Sequence, residues 1–158
     1  MPVKKLKEYL DKNGVKYMTI NHSIAYTAQE IAASACIPGK ELAKAVIFKA
    51  DGKMMMAVLP ASQKINFDLL KKSIGKGDIT LAIENEFRSL FPECEIGAMP
   101  PFGNLYNMEV VVADTFAKNT EIAFNSGSHS ELIRMSYTDF EKLVQPKVIR
   151  ISEKLVAT

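Results

Sequence analysis

Lys44 is the residue whose type and position most favour chemistry. It lies in the apolar run 42–48, where strand alternation puts Leu42 and Val46 on its own face. Because both faces of this run are apolar, the run predicts a strand covered on both sides. A lysine there is unfavourable unless its ammonium finds partners or reaches a cleft. The alternative, a lysine at the strand's edge that extends to water, is equally compatible with the spacing.

A second candidate is the stretch Gly97-Ala98-Met99-Pro100-Pro101-Phe102-Gly103. Its prolines fix the backbone and its glycines permit unusual dihedral angles. Backbone N–H groups remain at Gly97, Ala98, Phe102 and Gly103. Together with a cation, such donors suit an anionic or carbonyl oxygen. The alternative is a tight surface crossover, which composition alone favours.

The third candidate is the turn Gly127-Ser128-His129. The histidine suits a proton shuttle, a substrate contact or a local cap. No Ser-His-Asp order or nucleophile elbow surrounds Ser128, so the sequence predicts no catalytic triad. The phosphate-binding and dinucleotide-binding glycine motifs are also absent, which excludes the usual kinases and dehydrogenases.

Length and composition predict one domain over residues 1–158, located in the cytoplasm. No apolar run has the length of a membrane span, and the first ten residues lack a signal-peptide core. Two distant cysteines, Cys36 and Cys94, and two histidines predict neither a disulfide framework nor a metal site, and we expect no cofactor. The net charge of +2 argues against wrapping a long nucleic acid but allows binding of a short single-stranded end.

Apolar periodicity predicts strands interspersed with helices, in no strict alternation. The predicted strands are 16–20, 42–48, 53–59, 79–81, 110–113, 121–124 and 131–135. The predicted helices are 3–13, 27–35, 66–72, 84–91 and one that Thr138 opens and that ends near Pro146. This order favours an α/β fold of α+β type, with a mixed sheet flanked by helices.

Local signals set several boundaries. Asp51-Gly52 predicts a hairpin turn, and Asn66 predicts a helix cap. Capping boxes at Thr27 to Glu30 and at Thr138 to Glu141 predict two further helix starts. The last residues, 152–158, are expected to be loosely held.

Four stretches in this order and spacing resemble the YbaK/prolyl-tRNA-synthetase-associated domain family. They are Ala43-Lys44-Ala45-Val46, Val58-Leu59-Pro60-Ala61, the stretch 97–103 and Phe124-Asn125-Ser126-Gly127-Ser128-His129. The resemblance covers roughly residues 15–144 and implies a compact fold with a mixed, barrel-like sheet. It implies hydrolysis of the ester of mischarged aminoacyl-tRNA, in trans or within a synthetase. The implied partners are the tRNA acceptor end and a synthetase.

The resemblance also implies roles for individual residues. The implied catalytic residues are Lys44 and, through their backbone, Gly97 and Ala98. The implied substrate-binding residues are Met99, Pro100, Pro101, Phe102, Gly103, Gly127, Ser128, His129 and Thr27. We expect Lys44 to act as an ammonium that fixes the terminal phosphate or the ester carbonyl, and not as a neutral base. Specificity for a small amino acid such as alanine or cysteine would follow from pocket size.

Two other hypotheses remain open. Where the family often has Thr or Asn after its lysine, this chain has Ala45, which motivates a catalytically silent module that binds an aminoacyl or nucleotide end and docks on a synthetase. A cysteine hydrolase using Cys36 or Cys94 is the third hypothesis. Binding of a non-hydrolysable analogue without turnover of the ester would favour the silent module. Full activity of the double Cys→Ser variant would exclude the cysteine hydrolase.

Overall fold

A computed structural model describes residues 4–21, 37–75, 78–91, 94, 98–128 and 130–154. The helices are α1 (Lys4–Lys12), α2 (Phe67–Ile74), α3 (Glu84–Phe87) and α4 (Tyr137–Val144). Short 3-10 helices span Arg88–Leu90, Gly103–Tyr106 and Phe116–Lys118. The strands are β1 (Tyr17–Asn21), β2 (Ala43–Ala50), β3 (Lys53–Pro60), β4 (Gln63–Ile65), β5 (Ile79–Leu81), β6 (Glu109–Ala113), β7 (Glu121–Asn125), β8 (Glu131–Ser136), β9 (Lys147–Ile149) and β10 (Ser152–Lys154).

The largest sheet has five strands in the order β5-β2-β3-β6-β9. It is mixed, since β2 runs antiparallel to β3 and β5, whereas β3, β6 and β9 are parallel neighbours. Asp51 and Gly52 connect β2 to β3 with φ angles of 51° and 85°. Positive φ at both central residues is typical of a tight hairpin, so the predicted turn is confirmed.

A second sheet has three antiparallel strands in the order β1-β8-β7. An isolated parallel bridge between Leu42 and Ala123 connects it to the start of β2. The described strands therefore form separate sheets joined at one point, and they do not close into a barrel. The predicted fold class, a mixed α/β fold with helices beside the sheets, is confirmed.

The main core lies between these sheets and the helices. Aromatic side chains fill much of it, and those that are fully buried are Phe48, Phe102, Phe116, Phe124 and Phe140. Helix α1 buries one face through Leu6 and Leu10 and leaves Lys4, Lys5 and Lys12 exposed, as its amphipathic spacing predicts. Burial of this apolar surface is the main term that stabilises the fold.

Local caps set the bounds of two helices. Asn66 caps α2 as predicted, because its side chain accepts the N–H of Leu69. The helix continues to Ile74, two residues beyond the prediction, and Gly75 ends it in the left-handed conformation. Four residues of the predicted 84–91 helix are α-helical, and a 3-10 turn follows them.

The predicted start of α4 at Thr138 is wrong. Ser136 is the N-cap, because its hydroxyl accepts the N–H of Asp139 and the chain becomes helical at Tyr137. Thr138 thus lies inside the first turn.

The expectation that residues 152–158 are loosely held is also wrong for Ser152–Lys154. This segment is β10, which pairs with β4, and the Ser152 hydroxyl donates to Gln63 Oε1 over 2.5 Å. Residues 155–158 lie outside the described residues, as does the predicted 27–35 helix.

Candidate functional site

Lys44 is the second residue of β2 and lies opposite Leu59 of β3. Its side chain is half-buried, and desolvation by burial lowers its pKa below the ordinary lysine value. Within the described part of the chain, the lysines that form ion pairs are Lys4, Lys7, Lys49, Lys53 and Lys64. Lys44 is therefore a partly desolvated cation that no described carboxylate neutralises.

Strand β7 ends in a polar residue that the strand register aligns with Lys44. The bridge between Leu42 and Ala123 is parallel, and the Ala123 N–H donates to Glu41 O over 2.9 Å. Two residues further along, Lys44 and Asn125 occupy equivalent positions on the same face. Asn125 ends β7, and its side chain is only 8% exposed.

Sequence reasoning did not select Asn125 as a site residue. Its amide oxygen is buried and has no hydrogen-bond donor among the described residues. Buried side-chain oxygens are normally paired, so an orphaned one is unusual. The sequence signal was an asparagine that closes an apolar strand, but its position beside Lys44 depends on a long-range bridge that sequence does not reveal.

The turn after β7 contains two predicted substrate-binding residues. Gly127 has a φ angle of 107°, which favours glycine. The Ser128 hydroxyl is buried within the turn, where it contacts the Ser130 hydroxyl at 3.0 Å and accepts the Ser130 N–H over 3.2 Å. Ser126 closes the turn by donating its N–H to Glu131 O over 3.3 Å. The turn is thus held by its own hydrogen bonds, while His129 and Thr27 lie outside the described residues.

The proline-bearing stretch is buried from Ala98 to Gly103, including Met99, Pro100 and Pro101; Gly97 lies outside the described residues. Its anchor is Phe102, whose ring centroid lies 5.4 Å from those of both Phe124 and Phe140. Gly103 is required sterically, because a Cβ atom there would lie 2.6 Å from Val110 Cγ2. Aromatic packing and this close approach fix the end of the loop against the core.

Strand β7 therefore connects the three candidate elements. β2 is bridged to it at Ala123, the loop packs on it at Phe124, and the turn Gly127-Ser128 continues from it. The cation, the stiff loop and the turn thus share one strand as a framework, but the Phe102 anchor packs on the Phe124 face of β7, whereas Lys44 is aligned with the alternate face of Ala123 and Asn125.

Two described cavities lie elsewhere. A cleft of about 510 Å³ lies beside β3, β6 and β9, and its lining includes Met55, Val110 and Lys147. A polar hollow of about 420 Å³ includes Lys40 and Arg134. Neither contains a predicted site residue.

In the described ranges, no group of three or more His, Cys, Asp or Glu side chains is placed to hold a metal ion. No helix in those ranges has the length and apolar character needed to cross a membrane. Cys94, one of the two alternative nucleophiles, is half-buried with Sγ 3.7 Å from the Tyr106 hydroxyl, and Cys36 lies outside the described residues.

A family profile described as aminoacyl-tRNA editing domain matches residues 22–143. A proline–tRNA ligase of Staphylococcus saprophyticus is 31% identical over 73% of this chain, which spans only 20% of the ligase. The prolyl-tRNA editing protein ProX of Acetoanaerobium sticklandii is 27% identical over 86% of both chains.

Solved structures share the fold. A crystal structure of a hypothetical protein has a TM-score of 0.84 at 23% identity, covering 95% of this chain and 100% of that one. A crystal structure titled as a putative trans-editing enzyme for prolyl tRNA synthetase has a TM-score of 0.80 at 18% identity, covering 95% and 96%. The chain therefore belongs to the family of aminoacyl-tRNA editing domains, and the expectation of a hydrolase that acts on mischarged aminoacyl-tRNA is confirmed.

Proposed function

We propose that this protein hydrolyses, in trans, the ester between a small amino acid, alanine or cysteine, and a mischarged tRNA, with tRNA for proline as the first candidate. The observation that carries the proposal is Lys44, a half-buried ammonium without a described counter-ion on the strand that meets β7. The family match and the ProX relative, of similar length, support the reaction class and the choice of tRNA.

In the proposed reaction, water attacks the ester carbonyl carbon. A ribose hydroxyl of the terminal adenosine can also attack, but this only transfers the ester to that hydroxyl, and water must then attack the new ester to release the amino acid. With water, a new C–O bond forms, the bond to the ribose oxygen breaks, and the ribose oxygen takes up a proton. The products are a free amino acid and an uncharged tRNA. An aminoacyl ester is already reactive, so no enzyme nucleophile is needed.

The proposed role of Lys44 is to hold the terminal phosphate or the ester carbonyl oxygen. Burial lowers its pKa because the charged form is poorly solvated. An approaching phosphate or developing oxyanion stabilises the charged form again, so binding recovers part of the desolvation cost. The same attraction grows as charge develops on the carbonyl oxygen in the transition state.

The proposed oxyanion donors are the backbone N–H groups of Gly97 and Ala98. Ala98 is buried at the start of the described part of the loop, beside residues that Phe102 anchors. A preorganised donor of this kind contributes about 3 kcal/mol to transition-state stabilisation in other hydrolases. The prolines that follow reduce the freedom of the loop before substrate binds.

The proposed partners are the acceptor end of the tRNA and a prolyl-tRNA synthetase. A net charge of +2 suits a protein that holds only the aminoacyl-adenosine end. The similarity of this chain to part of the staphylococcal proline–tRNA ligase supports the synthetase as a docking partner. Since charged tRNA is the proposed substrate, the cytoplasm is the proposed compartment.

The test is a deacylation panel. Purified protein is incubated with tRNA for proline charged with alanine, cysteine or proline, and with alanine- and serine-charged tRNAs of other identities. We expect rapid loss of alanine or cysteine and slow loss of proline. If none of the esters is hydrolysed faster than in buffer, the proposal fails, and tight binding of a non-hydrolysable analogue without turnover would favour the silent binding module.

A further inference from the structure

Asn125 has no role in the reaction as described above, yet its strand is bridged to the start of the strand that carries the proposed catalytic lysine. Leu42 and Ala123 belong to one small apolar cluster, together with Leu132. Because β2 and β7 are parallel at the Leu42–Ala123 bridge, the next positions on this face are Lys44 and Asn125. The two side chains therefore project from the same face of two bridged strands, close to this apolar cluster.

The amide oxygen of Asn125 is suited to receive a hydrogen bond from outside the described structure. The side chain is 8% exposed, and no described donor reaches Oδ1, Lys44 included. A buried carbonyl oxygen without a donor is unfavourable. An N–H or O–H group brought by a bound substrate would supply the missing donor.

The groups at the end of an aminoacyl-tRNA divide into acceptors and donors. The phosphate and the ester carbonyl oxygen only accept, and they suit Lys44. The α-ammonium group only donates, and it needs an acceptor close to the ester. A neutral amide oxygen stabilises that cation and leaves the charge of Lys44 in place. A carboxylate at this position would neutralise Lys44.

We propose that Asn125 Oδ1 accepts a hydrogen bond from the α-ammonium group of the aminoacyl ester. This inference rests on the proposed function and deepens it. Lys44 then binds the carbonyl side of the aminoacyl ester and Asn125 its amino side, and the packed apolar cluster that contains Leu42, Ala123 and Leu132 lies close to both. The site would distinguish an aminoacyl ester from an acyl ester of the same size.

The test compares alanyl-tRNA with propionyl-tRNA, which lacks only the α-amino group. Each kcat/KM is divided by the spontaneous hydrolysis rate of the same ester, since the two differ in intrinsic reactivity. We expect the unaltered protein to prefer the alanyl ester by about 10- to 100-fold, the range of one hydrogen bond to a charged group. Asn125→Leu should abolish this preference, and Asn125→Asp, which keeps an acceptor, should retain it.

Asn13→Leu is the matched control, because Asn13 lies at the end of α1 and bonds only within that helix turn in the described structure. It should keep the full preference. If Asn125→Leu fails to fold, as judged by thermal unfolding, Asn125→Ala replaces it in the comparison.

Several outcomes overturn the inference. They are no alanyl preference in the unaltered protein, a preference that survives Asn125→Leu or its alanine replacement, or an equal loss on both esters, which would indicate a ribose hydroxyl as the donor. In each of these cases the protein still hydrolyses alanyl-tRNA, so the proposed function stands. If the unaltered protein hydrolyses neither ester nor any other in the panel, the proposed function and this inference fall together.

Discussion

Lys44 and Lys49 lie on the same strand, on opposite faces, in different surroundings. Lys49 bonds to the carboxylate of Glu86, and both side chains are 29% exposed. Lys44 is similarly half-buried, but no described carboxylate pairs with it. A paired lysine holds two elements together, here β2 and α3, whereas an unpaired one remains available to an incoming anion. We therefore propose that the Lys49 end of β2 serves the fold, whereas the Lys44 end serves the reaction.

The largest expected effect is a difference in deacylation rate between substitutions of these two lysines. Lys44→Met should lower the deacylation rate by about 100-fold or more, the size of losing one electrostatic donor to a developing oxyanion. Lys49→Met should leave the rate within about threefold, since it only removes a partly exposed ion pair. Both rates are measured on the same mischarged tRNA. Equal losses in the two variants would contradict the functional difference between the ends of the strand.

The next effect concerns the anchor of the loop. Phe102→Leu removes ring contacts with Phe124 and Phe140, so we expect a loss of about 1–2 kcal/mol of unfolding free energy. We also expect the deacylation rate to fall by about tenfold, because small displacements of donors are costly in catalysis. Denaturant unfolding and the deacylation assay measure the two losses.

Phe67→Leu is the matched control for Phe102→Leu, because Phe67 is 40% exposed. It should change neither quantity appreciably. A loop variant that lost stability but kept its full rate would show that the loop does not position the site.

A third expected effect is a loss of stability on substitution of Gly103. Gly103→Ala would put a Cβ atom 2.6 Å from Val110 Cγ2 and 3.1 Å from Met108 O, so we expect a loss of about 1–3 kcal/mol. In a Val110→Ala background the same substitution should cost less, because the nearer clash is gone. Denaturant unfolding of the four proteins gives the coupling. An identical cost in both backgrounds would show that Val110 is not the obstacle.

The smallest effect is a dependence of stability on pH. The pKa of Lys44 is lowered in the folded protein, mainly by desolvation, while in the unfolded chain it has the ordinary value of 10.5. Between these two pKa values the unfolded state binds more protons, so the contribution of Lys44 to stability rises with pH in this window. Below this pH window, Lys44 is charged in both states, and its desolvation lowers the unfolding free energy by the full amount.

Lys44→Met removes this titration. The variant should have the higher unfolding free energy at neutral pH. We expect this difference from the unaltered protein to decrease as the pH rises towards 10.5. Urea unfolding over a pH series measures the difference. A difference that stays constant with pH would contradict the lowered pKa.

Much of the sheet could be predicted because its strands have strong local patterns. The hairpin at Asp51-Gly52 and the run around Lys44 needed only turn chemistry and alternation. The short strands β4, β9 and β10 were missed, since each begins with a polar residue and their pairing partners are remote in sequence, whereas the equally short β5, Ile79–Leu81, was predicted. The α4 start was misplaced because Ser136 and Thr138 are both good caps, and the end of β8 decides between them.

The candidate site could likewise be predicted only in part. Lys44 was visible because a charge interrupts an apolar run. Asn125 was not selected, because an asparagine at the end of a strand is ordinary until the Leu42–Ala123 bridge places it beside Lys44. Phe102 was predicted within the loop, but its packing against Phe124 is a tertiary contact that no local pattern encodes.

The most direct measurement of the central claim follows the side-chain NMR signals of Lys44 and Lys49 during titration with a non-hydrolysable alanyl-adenosine analogue that carries the 5′ phosphate. Binding is established independently by calorimetry. The account predicts a saturable change in the Lys44 signal, with a rise in its pKa, and no comparable change at Lys49. Binding of the analogue without any response at Lys44 would contradict the account.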